Sequence, residues 1–167
     1  MAFQGILIAN RGEIAIRIAR AAAELGIKSV AIYSEDDASS LHTKIADESF
    51  LLPGLGAAAY LNMEEVINAA KKSGCDAIHP GYGFLSEQAS FAEKCAEAGL
   101  TFVGPKVEHL KLFGDKGVAR AAAISAGVPV LRGIDKAVTL KEAGAFFDEV
   151  DGGIIIKAVA GGGGRGT

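Results

Sequence analysis

The stretch GGIIIKAVAGGGGRGT (residues 152–167) runs three isoleucines into Lys157, then four glycines into Arg165. Glycine has no Cβ and tolerates positive φ, so consecutive glycines let several main-chain amides converge on one anion. A lysine at the end of an apolar strand and an arginine fork beyond the loop would add positive charge to the same place. The chemistry this pattern suits is phosphate binding, with Lys157, the glycine run that follows it and Arg165 as candidate contacts. Lys116, in GDKGVAR at a predicted helix start, is a further candidate cation, because a helix N-terminus favours anions. The lysine precedes the glycines and no GxxxxGK[ST] occurs, so this is not a Walker A loop. A flexible linker is the competing reading, but such linkers are polar on both sides, whereas an isoleucine run feeds this one.

A second candidate is HPGYGFLSE, residues 79–87, just after a predicted strand. Open α/β sheets place ligands at the carboxyl ends of their strands. Pro80, Gly81 and Gly83 make a fixed, tight turn there. His79 reads as a hydrogen-bonded histidine and Glu87 as a charge in the first turn of a helix.

The elements that must position these residues alternate from the start. Short β-rich runs at 5–9, 29–33, 49–52, 76–79 and 100–103 are separated by helical patterns at 12–25, 62–72 and 86–98. This is the sequence form of a parallel sheet built from βαβ units. Gly26 and Gly99 stop two of the helices, and Asn62 with Glu65 forms an N-cap arrangement. The unit is expected to close near Gly104-Pro105. Residues 106–126 are helical on both sides of a break at Gly114, and a shorter unit follows: strand 129–132, helix 139–149 opened by the capping box Thr139–Glu142, and strand 153–158. One helix and two strands cannot cover a sheet, so the last segment reads as half of a domain.

The first turn, Ala9-Asn10-Arg11-Gly12, has a single glycine where dinucleotide binding asks for GxGxxG. The acidic group Glu35-Asp36-Asp37 therefore reads as a solvated loop and helix cap rather than a ribose contact. Composition narrows the classes further. The chain of 167 residues is 50% hydrophobic with a formal charge of -3, so no global field draws it to nucleic acid or an acidic membrane face. Cys75 and Cys95 lie far apart with no CxxC, and His42, His79 and His109 have no metal-ligand spacing, so no metal site is expected. No apolar run is long enough for a membrane helix, and the first strand begins by residue 5, so a cytoplasmic protein without a transit peptide is expected.

Five segments together resemble biotin carboxylase, the ATP-dependent component of biotin-dependent carboxylases: IANRGEIAIRIARAAAELGIK (8–28), YLNMEEVINAA (60–70), AIHPGYGFLSE (77–87), FVGP (102–105) and GDK (114–116). A lysine-ending strand, a glycine-rich loop and an upstream GDK also resemble the wider ATP-grasp superfamily. The implied fold is α/β: a Rossmann-like parallel sheet (pre-ATP-grasp domain, residues 1–105), a helical connector (106–128), and the start of a truncated ATP-grasp lid (129–167).

The implied reaction has two steps. ATP, with Mg2+ or Mn2+, phosphorylates bicarbonate to carboxyphosphate, which then carboxylates the ureido nitrogen of biotin on a carrier domain. By match to the family pattern, Lys116 and Lys157 contact ATP phosphates, Gly163 and Gly164 lie in the loop over them with Arg165 beside, and Tyr82 and Gly83 line the biotin or bicarbonate pocket. No catalytic residue is assigned within these residues. Val159 and Ala160 stand where the family commonly has a hydroxyl and a glycine, which alters the loop entry.

The implied partners are a biotin carboxyl carrier domain and a carboxyltransferase, with a homodimer through the first helix (Arg20, Glu24). Residues 1–167 are not expected to turn over alone, because the metal carboxylates and adenine pocket come from later chain in the family. Two alternatives are a non-catalytic nucleotide-binding module and another ATP-grasp ligase such as carbamoyl-phosphate synthetase.

Overall fold

The computed structural model describes residues 3–134 and 136–157, which fall into two compact units, Met1–Leu110 and Lys111–Thr167. In the first, β1 (Gly5–Ile8) leads into α1 (Gly12–Glu24), β2 (Lys28–Tyr33), α2 (His42–Ile45), β3 (Glu48–Leu51), α3 (Gly56–Tyr60), α4 (Met63–Lys72), β4 (Ala77–His79), α5 (Ala89–Glu97) and β5 (Thr101–Phe102). The five strands form one sheet in the order β3-β2-β1-β4-β5, and every pair is parallel. The α/β class with a Rossmann-like parallel sheet is therefore as the sequence pattern predicts.

The near-continuous apolar run of β1 follows from burial on both faces of the sheet. Side chains alternate along a strand, and here Ile6 and Ile8 pack with Ala15, Ile18, Ala19 and Ala22 of α1, while Leu7 joins Val30, Ile32, Tyr60, Val66, Ile78 and Phe91 on the other side. Phe91 meets Phe102 edge to face at 6.0 Å. At the amino edge, Asp76 accepts from the backbone amides of Gln4 and Gly5 and ties the start of β1 to the loop before β4. Asn62 caps α4 by accepting from the Glu65 amide.

The strand order fixes where the switch point of the sheet lies. From β1 the chain winds outward through β2 to β3, then returns to β4 on the opposite side of β1 and continues to β5. The loops leaving β1 and β4 therefore emerge side by side at the switch point of the sheet.

In the second unit, α7 (Lys116–Ser125) and α8 (Leu140–Glu149) follow α6 (Val107–Gly114), whose last turn reaches into this unit. Asp115 caps α7 by accepting from the Val118 amide at 2.9 Å, which sets the predicted break beside Gly114. The capping box at Thr139 and Glu142 opens α8 with both reciprocal bonds formed. Arg132 bonds the Glu149 carboxylate and packs over the Phe146 ring. Two predicted strands are not strands. Residues 129–132 are irregular, as are residues 153–157, where Ile155 and Ile156 stand exposed. A strand exists only as part of a ladder, and these runs have no hydrogen-bonded strand neighbour among the described residues.

Candidate functional site

Main-chain pairing carries β1 and β4 side by side to the carboxyl edge, with Ile8 in register with His79 and the Ala9 amide donating to the His79 carbonyl at 2.9 Å. The next residue of each loop is therefore brought within reach of the other. Asn10, 3% exposed, donates from Nδ2 to the carbonyls of Pro80 and Tyr82, each at 2.8 Å, while its Oδ1 accepts from the Arg11 amide at 2.9 Å.

The 79–84 turn needs that anchoring because its backbone is unusual. Gly81, Gly83 and the non-glycine Phe84 all take positive φ, at 64°, 67° and 43°. The left-handed region disfavours any residue with a Cβ, so Phe84 persists there against a steric cost of about 1 kcal/mol. Gly81 is also needed for space: a Cβ there would lie 2.9 Å from Asn10 Nδ2 and 3.1 Å from Ile14 Cγ1. Two contacts hold Phe84. Its ring stacks on Tyr60 at 5.3 Å, and the Arg11 guanidinium lies over both rings, 5.5 Å from Tyr60 and 5.9 Å from Phe84.

Asp37 completes this arrangement from the loop after β2. Its Oδ2 accepts from Arg11 Nη1 at 2.9 Å and from the Tyr60 hydroxyl at 2.8 Å, and its Oδ1 accepts from Ser40. Burial works against its ionisation, but Arg11, Tyr60 and Ser40 outweigh that and hold its carboxyl below the ordinary range. Asp36 accepts from the Gly56 amide and the Ser34 hydroxyl, which also lower its pKa. The acidic group, expected as a solvated loop and helix cap, is a short 3-10 turn in which Glu35 and Asp36 are exposed while Asp37 is partly exposed and has a structural task.

Among the predicted residues, Tyr82 is 62% exposed and its hydroxyl donates to Glu13 Oε2 at 3.3 Å. Gly83 is exposed beside it. His79 accepts from the Gly81 amide at Nδ1 and burial lowers its pKa, so it is a neutral histidine in the turn. Lys116 is the first residue of α7, next to the Asp115 cap that accepts from the Val118 amide. Lys157 is exposed and lies outside any regular element. Gly163, Gly164 and Arg165 lie outside the described residues. Arg20 and Glu24 are both exposed on α1, and among the described residues no ion pair joins them. Among the described residues no group of three or more His, Cys, Asp or Glu side chains could hold a metal ion.

Sequence reasoning missed Asn10, Arg11, Asp37 and Tyr60 as parts of one arrangement. The available signal was an Asn-Arg pair at the mouth of a buried strand, a polar pair where the fold places its crevice.

A five-stranded parallel sheet with helices between its strands and an anchored turn at its switch point defines an α/β domain of the doubly wound kind. Residues 2–110 match the family model of the biotin carboxylase N-terminal domain, and the chain belongs to that family. It is 56% identical over 164 residues to a pyruvate carboxylase of Staphylococcus aureus, covering 96% of this chain and 14% of that protein. It is 50% identical over 163 residues to biotin carboxylase 1 of Bacillus subtilis, covering 96% of this chain and 36% of that protein. Among solved structures, it is similar to the biotin carboxylase domain dimer of Hydrogenobacter thermophilus 2-oxoglutarate carboxylase, in complex with MgADP, ADP and bicarbonate. There the TM-score is 0.93 at 43% identity, covering 99% of this chain and 37% of that one. The chain thus spans well under half the length of these relatives.

Proposed function

We propose that this chain is the N-terminal portion of a longer biotin carboxylase, in which ATP drives the carboxylation of carrier-bound biotin by bicarbonate through carboxyphosphate. The single observation that carries the reading is the turn at residues 79–84, anchored by Asn10 at the switch point of a chain that belongs to this family. In this reading Tyr82 and Gly83 line the biotin or bicarbonate pocket. Lys116 and Lys157 contact ATP phosphates, joined by Gly163, Gly164 and Arg165. The complex of the 2-oxoglutarate carboxylase domain with MgADP and bicarbonate supports ATP, magnesium and bicarbonate as ligands. No described cluster suits the metal, so its carboxylates are to be sought in later chain.

Residues 1–105 are read as the pre-ATP-grasp domain, 106–128 as the connector and 129–167 as the start of the lid. Exposed Ile155 and Ile156 support an incomplete lid, since an apolar run of this kind calls for a sheet to enter. A carrier domain, a carboxyltransferase and a second copy through α1 are the partners in this reading, and the compartment is the cytoplasm. Among the described residues no helix is long and apolar enough to cross a membrane.

The test is ATP hydrolysis by the full-length polypeptide that carries this segment. Turnover should require bicarbonate and rise with free biotin, and residues 1–167 alone should show none. Robust turnover by residues 1–167, or turnover of the whole polypeptide indifferent to bicarbonate, would refute it.

A further inference from the structure

We infer that Asn10 is a positioning residue, which turns the peptide between Tyr82 and Gly83 so that the Gly83 N–H faces the ligand as an outward hydrogen-bond donor. The inference rests on the reading of Tyr82 and Gly83 as pocket residues. Among the described residues no peptide bond is cis, and in a planar trans peptide the C=O and N–H point in opposite directions. Asn10 draws the Tyr82 carbonyl inward at 2.8 Å, so the Gly83 N–H must point away from Asn10. The preceding anchored peptide obeys the same geometry: the Pro80 carbonyl goes to Asn10 and the Gly81 N–H to His79 Nδ1 at 3.1 Å. For the Gly83 N–H, by contrast, no acceptor is present among the described residues, and Gly83 is exposed.

A main-chain donor without a partner, on a glycine with nothing within 4 Å of its would-be Cβ, admits an oxygen acceptor at close range. The shared chemistry is a carbonyl or carboxylate oxygen, and it can come from biotin or from bicarbonate. Asn10 uses both Nδ2 hydrogens and its Oδ1, so aspartate cannot replace it: a carboxylate would face two carbonyls with no proton to donate. Without the anchor, the positive φ of Phe84 has less to hold it and the peptide is free to rotate.

The experiment uses the full-length polypeptide with free biotin, bicarbonate and MgATP as probes, in the wild type, Asn10→Ala and Asn10→Asp. The KM for biotin or for bicarbonate should rise about tenfold or more, identifying the source of the oxygen, while the KM for MgATP stays within about twofold. Asn10→Ser keeps one donor and should fall between, which also serves if the other variants do not fold. Unchanged KM values, or a loss of kcat with all three KM values moving together, would overturn the inference while leaving the functional reading intact. A wild type with no bicarbonate-dependent turnover would overturn both.

Discussion

Arg11 and Asp37 meet across the carboxyl edge of the sheet at 2.9 Å, and the guanidinium that makes this bond also roofs the Tyr60 and Phe84 rings. One ion pair thus links the loop after β1, the loop after β2, the end of α3 and the strained turn after β4. Asp37→Ala removes the acceptor for Arg11, Tyr60 and Ser40 together and should destabilise the first unit by about 2 kcal/mol, read from urea denaturation. The Lys28–Glu48 pair has the same 2.9 Å length but both side chains are well exposed and screened by water, so Glu48→Gln should cost clearly less than Asp37→Ala. Equal losses at the two sites would show that the Arg11–Asp37 bond organises nothing.

Two glycines of the same turn should respond differently to alanine. Gly81 and Gly83 share the left-handed backbone, which alone costs a Cβ about 1–2 kcal/mol. At Gly81 the Cβ would also press on Asn10 and Ile14, whereas at Gly83 it meets open space. Denaturation midpoints should therefore rank wild type above Gly83→Ala, and Gly83→Ala above Gly81→Ala.

Stability should fall on both sides of neutrality. Buried His42 bonds the Ile32 carbonyl through Nε2, and its Nδ1 is enclosed without a partner, so a second proton has no acceptor to meet. Burial holds its pKa below the ordinary 6.5. The unfolded chain then binds a proton more readily than the folded one, so this contribution is present above about 6.5 and is lost as pH falls. On the alkaline side, burial pushes Cys75 and Cys95 up from 9.0 to about 11, and burial with the Asp37 bond pushes Tyr60 up from 10.0 to about 12. These raised values stabilise below pH 9 and fade as pH climbs through 11. Melting temperature against pH should show a plateau between about 6.5 and 9; a flat profile across both limbs would contradict the burial of these groups.

The same raised thiols predict slow alkylation. Cys75 and Cys95 are buried and protonated at pH 8, so iodoacetamide should modify the native chain at least about tenfold more slowly than the urea-unfolded chain. Rapid modification of the folded protein would contradict this packing, and mass spectrometry after timed quenching reads the result.

How much of this was legible in the sequence depends on how local the signal is. The strands of the first unit, the caps at Asn62 and Thr139 and the helix break at Gly114 rest on patterns a few residues long. Over the described residues the strands expected at 129–132 and 153–158 do not form through 129–132 and 153–157, because an apolar run announces a strand without saying whether a ladder awaits it. At the site, HPGYG announced a turn through its own glycines. Its anchor, Asn10, lies about seventy residues upstream, and the Arg11–Asp37 bond spans 26. Such pairs are set by sheet order, which no short pattern records.

The account stands most directly on carboxyl transfer to biotin. The full-length polypeptide should be incubated with radiolabelled bicarbonate, MgATP and free biotin, and the acid-labile label on biotin counted. We predict label that depends on ATP and falls about a hundredfold or more when Lys116 and Lys157 are both changed to Ala, since each is proposed to contact the ATP phosphates. Label undiminished in that double variant, or none in the wild type while it hydrolyses ATP, would contradict it.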